Sequence, residues 1–572
     1  MTLAPQKGRA LIVVGALASV FTALGFRLFD LHVLQHKELS ALAQANREQV
    51  VHQQGRRGEI LDANGNPLAS SLSVRIATAD ATVTAPQAAD IAQKLAPLLN
   101  MDVESLAQKL SGQSHYVRLN QRDKLDEDIV QKIRAMKLKG ISFEDQFVRS
   151  YPNGSLASHV IGFVDAEHKG VQGIEASMED YLQGQPGYEV IERDRKGREI
   201  RALRTEDIGP RDGFNVVLTI DQMVQHIAEQ ELEKAMAEFK PQAGVIIVSR
   251  PKTGEILAMS SRPTFDPTNM DAASADDRRN RCISDVAEPG STFKIVVCSG
   301  ALNEGIVTLN DQFDCENGAF MYAGRILHDA HPFGVLSVEE ILFHSSNIGA
   351  AKVALRMGPV RLADYIHRYG FGHKTGIELP GEVSGIAHPL AKWNNLSITR
   401  IPMGHEIAVT PIQMLMAMNA IANNGVRMKP LIVRSIVDTD GTTIFQYRPE
   451  QVGQVVTPRA CQLMTAALRK VVSPEGTAPK AALEGFDVAG KTGTAQKVEN
   501  GQYVSKYYSS FIGYFPASNP EISILVSLDD PSGGAFYGGS VAGPVFRAVA
   551  EKVAEYLGME PQTPRPEVSK LS

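Results

Sequence analysis

The sequence predicts an α/β domain over roughly residues 213–558, its sheet assembled from both ends of that segment. Three observations predict it. Near the start, residues 244–249 and 255–259 are strongly β in character, and the turn Pro251-Lys252-Thr253-Gly254 between them makes a hairpin. Near the end, residues 507–515 and 521–528 form a second strand pair around Pro516 and Pro520. Helical stretches fill the middle, and one closes the segment over residues 544–557.

Composition sets the wider frame. The chain has 572 residues, 43% hydrophobic and 21% charged, which suits several packed domains and excludes a disordered or collagen-like chain. Its 58 basic and 64 acidic residues leave a formal charge of −6. That balance does not supply the basic field that phosphate binding needs, so no nucleic acid partner is expected.

The first element is apolar. Residues 10–26 carry no charge, Lys7 and Arg9 precede them, and Leu28, Phe29, Leu31, Val33 and Leu34 extend the apolar run past Arg27. The run is longer than a signal-peptide core, and bulky residues follow it where cleavage needs small ones. An uncleaved single-pass transmembrane anchor over residues 10–34 is expected, with residues 1–9 cytoplasmic and the rest outside. Residues 36–51 are polar and rich in alanine and glutamine, which predicts a stalk helix. Ile60-Leu61 reads as a short strand, Asn64-Gly65 as a turn, and Leu68-Ala69 as the return. Residues 85–99 and 103–110 read as helices, and the charged run 192–198 as a solvated hairpin. Within the main segment, residues 215–219 form a strand and 221–239 a helix capped by Thr219 or Asp221. The proline-rich tail, residues 559–572, is expected to be disordered.

Metal and disulfide chemistry find little support. Cys282, Cys298, Cys315 and Cys461 match no metal knuckle or redox pair, and buried thiols explain them more simply than a disulfide. His405-Glu406 opens a zinc-hydrolase pattern that Val409 breaks. No cofactor and no metal are expected.

Acyl-transfer chemistry finds more. Glu288-Pro289-Gly290-Ser291-Thr292-Phe293-Lys294 leads into a helix, placing Ser291 in its first turn and Lys294 one turn on. A serine hydroxyl becomes a nucleophile when a neighbouring base takes its proton, and a lysine serves if burial lowers its pKa. The helix start also offers backbone N–H groups to a developing oxyanion. Ser345-Ser346-Asn347 follows the helical stretch 338–343 and offers a hydroxyl and an amide to the same cleft. Residues 486–490 are strand-like and lead into Lys491-Thr492-Gly493-Thr494, where Gly493 permits close backbone approach and its neighbours can hold a carboxylate. A second Lys-Thr-Gly, residues 374–376, reads as a loop with a proline stop, so the functional role goes to 491–493. S-x-x-K, S-x-N and K-T-G in this order form the set found in serine β-lactamases and penicillin-binding proteins, with S-x-N in place of S-D-N.

On these motifs the chain resembles the class B penicillin-binding proteins, monofunctional transpeptidases that cross-link peptidoglycan. Arg57-Gly58-Glu59-Ile60-Leu61-Asp62, Tyr151-Pro152, His159, Ile174-Glu175 and Asp194-Arg195 are similar to motifs of that family's non-catalytic pedestal. Asn280-Arg281, Lys506-Tyr507, Asp529-Asp530-Pro531 and Tyr537-Gly538-Gly539 resemble its septal cell-division members, with the elongation transpeptidase as the alternative. The resemblance implies a β-lactamase-like transpeptidase domain behind an elongated α+β pedestal of dimerisation type over residues 35–212. It implies Ser291 as the acylated nucleophile, Lys294 as its base, Ser345 as proton relay and Asn347 as holder of Lys294 and the substrate amide. Lys491 supports the positive field, Thr492 and Thr494 hold the substrate carboxylate, and the N–H groups of Ser291 and Thr494 form the oxyanion hole. The implied partners are D-Ala-D-Ala stem peptides, an amine acceptor, β-lactams, a multi-span division glycosyltransferase of the FtsW type and other divisome membrane proteins. The implied site is the division septum, with the catalytic domain on the periplasmic side of the inner membrane. Ala63 and Glu406 depart from the family pattern, and Glu406 is expected to narrow or recharge the cleft rim. A β-lactamase or sensor would lack this pedestal, and an inactive scaffold would be expected to lose Ser291 or Lys294.

Overall fold

Five antiparallel strands form the central sheet, in the order Ile256–Arg262, Ala243–Ser249, Ile522–Asp529, Gln502–Phe515, Ala489–Glu499. Both ends of the 213–558 segment therefore meet in one sheet, as the strand pattern predicts. The computed structural model describes residues 6–45, 48–120, 125–192, 206–499 and 501–562. The expected hairpin at 192–198 and the tail beyond 562 lie outside the described residues.

Every residue of the two strands 243–249 and 256–262 is buried, because helices cover both faces of the sheet. Gln222–Phe239 and Gly538–Tyr556 pack together on one side, and Pro411–Ala422, buried along its whole length, packs against the same strands. Asp221 caps the first of these helices by accepting the N–H groups of Met223 (2.9 Å) and Val224 (3.1 Å). The closing helix begins earlier than its proline suggests. Pro544 lies inside it, and Gly538 starts it by donating its N–H to Thr494 Oγ1 at 3.0 Å. A tertiary hydrogen bond, which no local signal announces, sets that boundary.

A second sheet, seven-stranded among the described residues, joins the pedestal to the catalytic segment. Ile60–Leu61 pairs in parallel with Asn215–Leu218 and antiparallel with Pro67–Ala79. Pro67–Ala79 pairs in turn along its length with Ile141–Ser150. Ala88–Leu99 and Val103–Leu110 cover this sheet with a separate apolar cluster that includes Ile91, Leu95, Leu106 and Leu110. The described chain divides into two compact units, Met1–Arg56 with Gly184–Gly213, and Arg57–Gln183 with Phe214–Ser572. In the first unit, one helical stretch, Lys7–Leu34, is long and apolar enough to cross a membrane. The expected stalk helix ends at Ala45, and Glu48–Gln53 is instead a strand paired with Gly187–Glu192. Val50 and Val51 favour that extended pairing once a partner strand is available.

Two of the residues that carry the resemblance, Arg57 and Glu175, meet in one buried ion-pair cluster. Glu175, fully buried, accepts Arg57 Nε at Oε2 and Arg149 Nε at Oε1, both at 2.7 Å. Arg57 also reaches Glu179 at 2.7 Å, and Arg149 Nη1 donates to the Gly58 carbonyl at 2.7 Å. Removing one member of a buried ion-pair cluster leaves its partners charged and dry. Glu175→Ala is therefore expected to destabilise the protein by about 3–5 kcal/mol, read as a lowered denaturation midpoint. A midpoint within about 0.5 kcal/mol of wild type would remove this cluster as a structural clamp.

Candidate active site

The nucleophile turn is tighter than the sequence suggests. Gly290–Phe293 is a 3₁₀ turn and the α-helix starts at Lys294, so Ser291 precedes the α-helix rather than occupying its first turn. Gly290 makes this possible with φ +58°, and Gly404 packs so closely that a Cβ there would lie 2.2 Å from the Gly290 carbonyl oxygen. Thr292 fixes the turn by donating to the Pro289 carbonyl at 2.8 Å. The expected strand over 486–490 begins only at Ala489. Lys491 and Gly493 then alternate with Thr492 and Thr494 on opposite faces of Ala489–Glu499.

Four groups converge on Lys294. Its Nζ lies 2.9 Å from Ser291 Oγ, 2.8 Å from Asn347 Oδ1, 3.1 Å from Ser345 Oγ and 2.5 Å from the Ser345 carbonyl oxygen. Lys491 Nζ lies 2.9 Å from the same Ser345 hydroxyl, which therefore bridges the two lysines. Ser345 holds φ +64°, a left-handed conformation costing a non-glycine residue about 1–3 kcal/mol. That conformation presents both its carbonyl and its hydroxyl to Lys294.

Both lysines are fully buried. Burial pushes Lys294 down to about 7, against the opposing pull of the Asp329 charge. Burial, reinforced by the charge of Lys294, holds Lys491 well below its ordinary value. In the neutral Lys294 amine, the Ser345 carbonyl and Asn347 Oδ1 can only accept, so they take its two N–H groups. The lone pair is then left for the Ser291 hydroxyl proton.

The third motif frames the cleft. Thr494 Oγ1 accepts the Gly538 N–H, which leaves its own O–H free to donate, and Thr492 Oγ1 lies 3.0 Å from Thr477 Oγ1. A Cβ on Gly493 would come within 2.5 Å of Ser510 Oγ and 3.0 Å of the Pro289 carbonyl oxygen. Close approach at Gly493 is thus made first by Ser510 of the neighbouring strand and next by the turn that carries Ser291.

The second Lys-Thr-Gly serves another purpose. Thr375 and Gly376 donate their backbone N–H groups to Glu382 at 2.6 and 3.1 Å, closing a turn. Glu406 stands in a local ion pair. Its carboxylate accepts Arg400 Nη1 at 3.0 Å and Ser397 Oγ at 2.5 Å, so its charge is paired locally. All four cysteines are free and buried, and burial pushes the Cys298 thiol, one turn beyond Lys294, up to about 12. Among the described residues no cluster of candidate metal ligands occurs. Asp329 and Glu288 were not singled out by sequence reasoning. Asp329 accepts the backbone N–H groups of Asn347 and Ile348, whereas Glu288 accepts His405 Nδ1–H at 2.8 Å.

Known proteins resemble this chain in sequence and fold. Residues 244–551 match the penicillin binding protein transpeptidase domain, and residues 52–218 match the penicillin-binding protein dimerisation domain. A probable peptidoglycan D,D-transpeptidase PenA of Neisseria meningitidis is 32% identical over 98% of this chain and 94% of its own length. The peptidoglycan D,D-transpeptidase FtsI of Escherichia coli is 32% identical over 88% of this chain and 84% of its own length. A crystal structure of penicillin binding protein 3 from Mycobacterium tuberculosis, complexed with aztreonam, superposes with a TM-score of 0.69 at 27% identity, covering 90% of this chain and 100% of that one. With both domain families matched in order and full-length relatives at this identity, the chain belongs to the class B penicillin-binding proteins, closely related to the FtsI and PenA type.

Proposed function

We propose that this protein is a serine-type peptidoglycan D,D-transpeptidase that cross-links stem peptides at the division septum and is acylated by penicillin. The observation that carries the reading is Lys294 Nζ at 2.9 Å from Ser291 Oγ, with its two N–H groups committed elsewhere. Lys294 takes the Ser291 proton as the oxygen attacks the penultimate D-alanine carbonyl. The N–H groups of Ser291 and Thr494 receive the oxyanion, and Ser345, between the lysines, passes the proton to the departing D-alanine amine. An acceptor stem amine then takes the acyl group from Ser291. Asn347 holds Lys294 and the substrate amide. The 489–499 strand ends the sheet order, so its outer edge is open to an extended stem peptide, with Thr492 and Thr494 at the terminal carboxylate and Lys491 supplying positive field.

Residues 10–34 are the proposed single-pass anchor, with 1–9 cytoplasmic, 35–212 the pedestal and 213–558 the transpeptidase domain on the periplasmic side. A transpeptidase of this kind depends on a separate polymerase, proposed to be a multi-span division glycosyltransferase meeting the anchor and the pedestal. The resemblance of the relatives to septal enzymes favours division over elongation.

The test uses the full chain in detergent with acyl-donor peptides ending in a free or an amidated D-alanine. Mass spectrometry of the Ser291 peptide is expected to show strong loss of acylation on amidation, since charge-assisted hydrogen bonds are sensitive to either partner. Equal acylation by both donors would overturn the role of Lys491, Thr492 and Thr494.

A further inference from the structure

The three motifs do not explain why Asn347 turns its carbonyl oxygen, rather than its amide nitrogen, toward Lys294. The segment His328-Asp329 does. The His328 carbonyl accepts Asn347 Nδ2–H at 3.1 Å, which commits the nitrogen and leaves Oδ1 facing Lys294 at 2.8 Å. Asp329 holds the backbone in the matching position. Its Oδ1 accepts the N–H groups of Asn347 and of Ile348, the latter at 3.0 Å, and its Oδ2 accepts the Ser346 hydroxyl at 2.7 Å.

The same carboxylate acts on Lys294 electrostatically. Among the described residues, Asp329 is the one carboxylate whose charge raises the Lys294 pKa, against the larger lowering by burial. The other groups around that amine are the Ser291 and Ser345 hydroxyls, the Ser345 carbonyl, the Asn347 amide, the Cys298 thiol and Lys491 beyond Ser345. Burial keeps the Cys298 thiol protonated at working pH, so it supplies no charge. Lys491 carries the opposite sign to Asp329.

We propose that Asp329 is a positioning residue of this active site: its three hydrogen bonds hold the Ser346–Ile348 turn that aims Asn347 at Lys294, and its negative charge partly offsets the effect of burial on the acid limb of acylation. The inference rests on Lys294 acting as the base for Ser291. Acylation then rises with pH as Lys294 loses its proton, and removing the Asp329 charge makes that proton easier to lose. The acid limb moves to lower pH. A purely structural cap would lower the rate without moving the limb.

The experiment measures acylation of the detergent-solubilised full chain by a fluorescent penicillin between about pH 5 and 9. Asp329→Asn keeps an oxygen acceptor for the N–H groups and removes the charge. Its midpoint is expected to fall by about half a pH unit or more. Asp329→Glu keeps the charge and displaces the oxygens, so its midpoint stays at the wild-type value while its rate falls. If Asp329→Asn unfolds by circular dichroism, Asp329→Glu decides alone, and a lowered midpoint there overturns the inference. An Asp329→Asn midpoint equal to wild type also overturns it, with Lys294 still the base. A wild-type chain that forms no adduct, or whose acylation has no acid limb, overturns the underlying reading and the inference with it.

Discussion

Ser291→Ala is expected to form no covalent penicillin adduct at any pH, because the substitution deletes the one oxygen that becomes the ester. Lys294 Nζ keeps its contacts to the Ser345 carbonyl and Asn347 Oδ1, so the cleft keeps its shape and noncovalent binding survives. Intact-mass measurement of the full chain after prolonged exposure to penicillin checks this. A persistent adduct on another residue would move the whole site.

Lys294→Arg is expected to be almost as inactive, which separates a base from a mere positive charge. A guanidinium stays protonated at any usable pH and cannot accept the Ser291 proton. Loss of general-base catalysis is worth about 10²–10⁴-fold, so stopped-flow acylation should fall by that order. Lys294→Ala should fall comparably and recover in part at high pH, where hydroxide replaces the base. The wild-type rate should rise with pH through about 7, the value to which burial pushes Lys294. Its folded value lies below its ordinary value of 10.5, so burying this lysine costs most below the folded value, and the cost fades as pH rises toward the unfolded one. Lys294→Arg acylating at close to the wild-type rate would transfer the base role to Lys491 acting through Ser345.

The sequence made the three motifs legible because each is short and its chemistry is carried by residue type. In the structure Lys294 lies within hydrogen-bond distance of Ser291, Ser345 and Asn347, and Ser345 links it to Lys491. The duplicate at 374–376 could also be separated in sequence, since a proline-stopped loop differs from the start of an apolar strand. The limits of elements were less legible where distant partners set them. Gly538 begins the last helix because Thr494 receives its N–H, and residues 48–53 extend because residues 187–192 pair with them.

By itself, then, the sequence determined the sheet built from both ends of the 213–558 segment, the apolar first helix, and the polar residues that the structure gathers into one cluster. Periodicity and residue type are local properties, and they survive without knowledge of the fold. Only the tertiary structure decided how those residues are tuned. It placed Ser291 in a 3₁₀ turn against Gly404, set Ser345 in a left-handed conformation, and paired Glu406 with Arg400. It also brought Asp329 to the start of the Asn347 helix and buried both lysines. The pKa of a lysine depends on what excludes water from it and which charges stand beside it. Those neighbours come from segments far apart in the chain, so the fold alone fits Lys294 for the base role proposed for it.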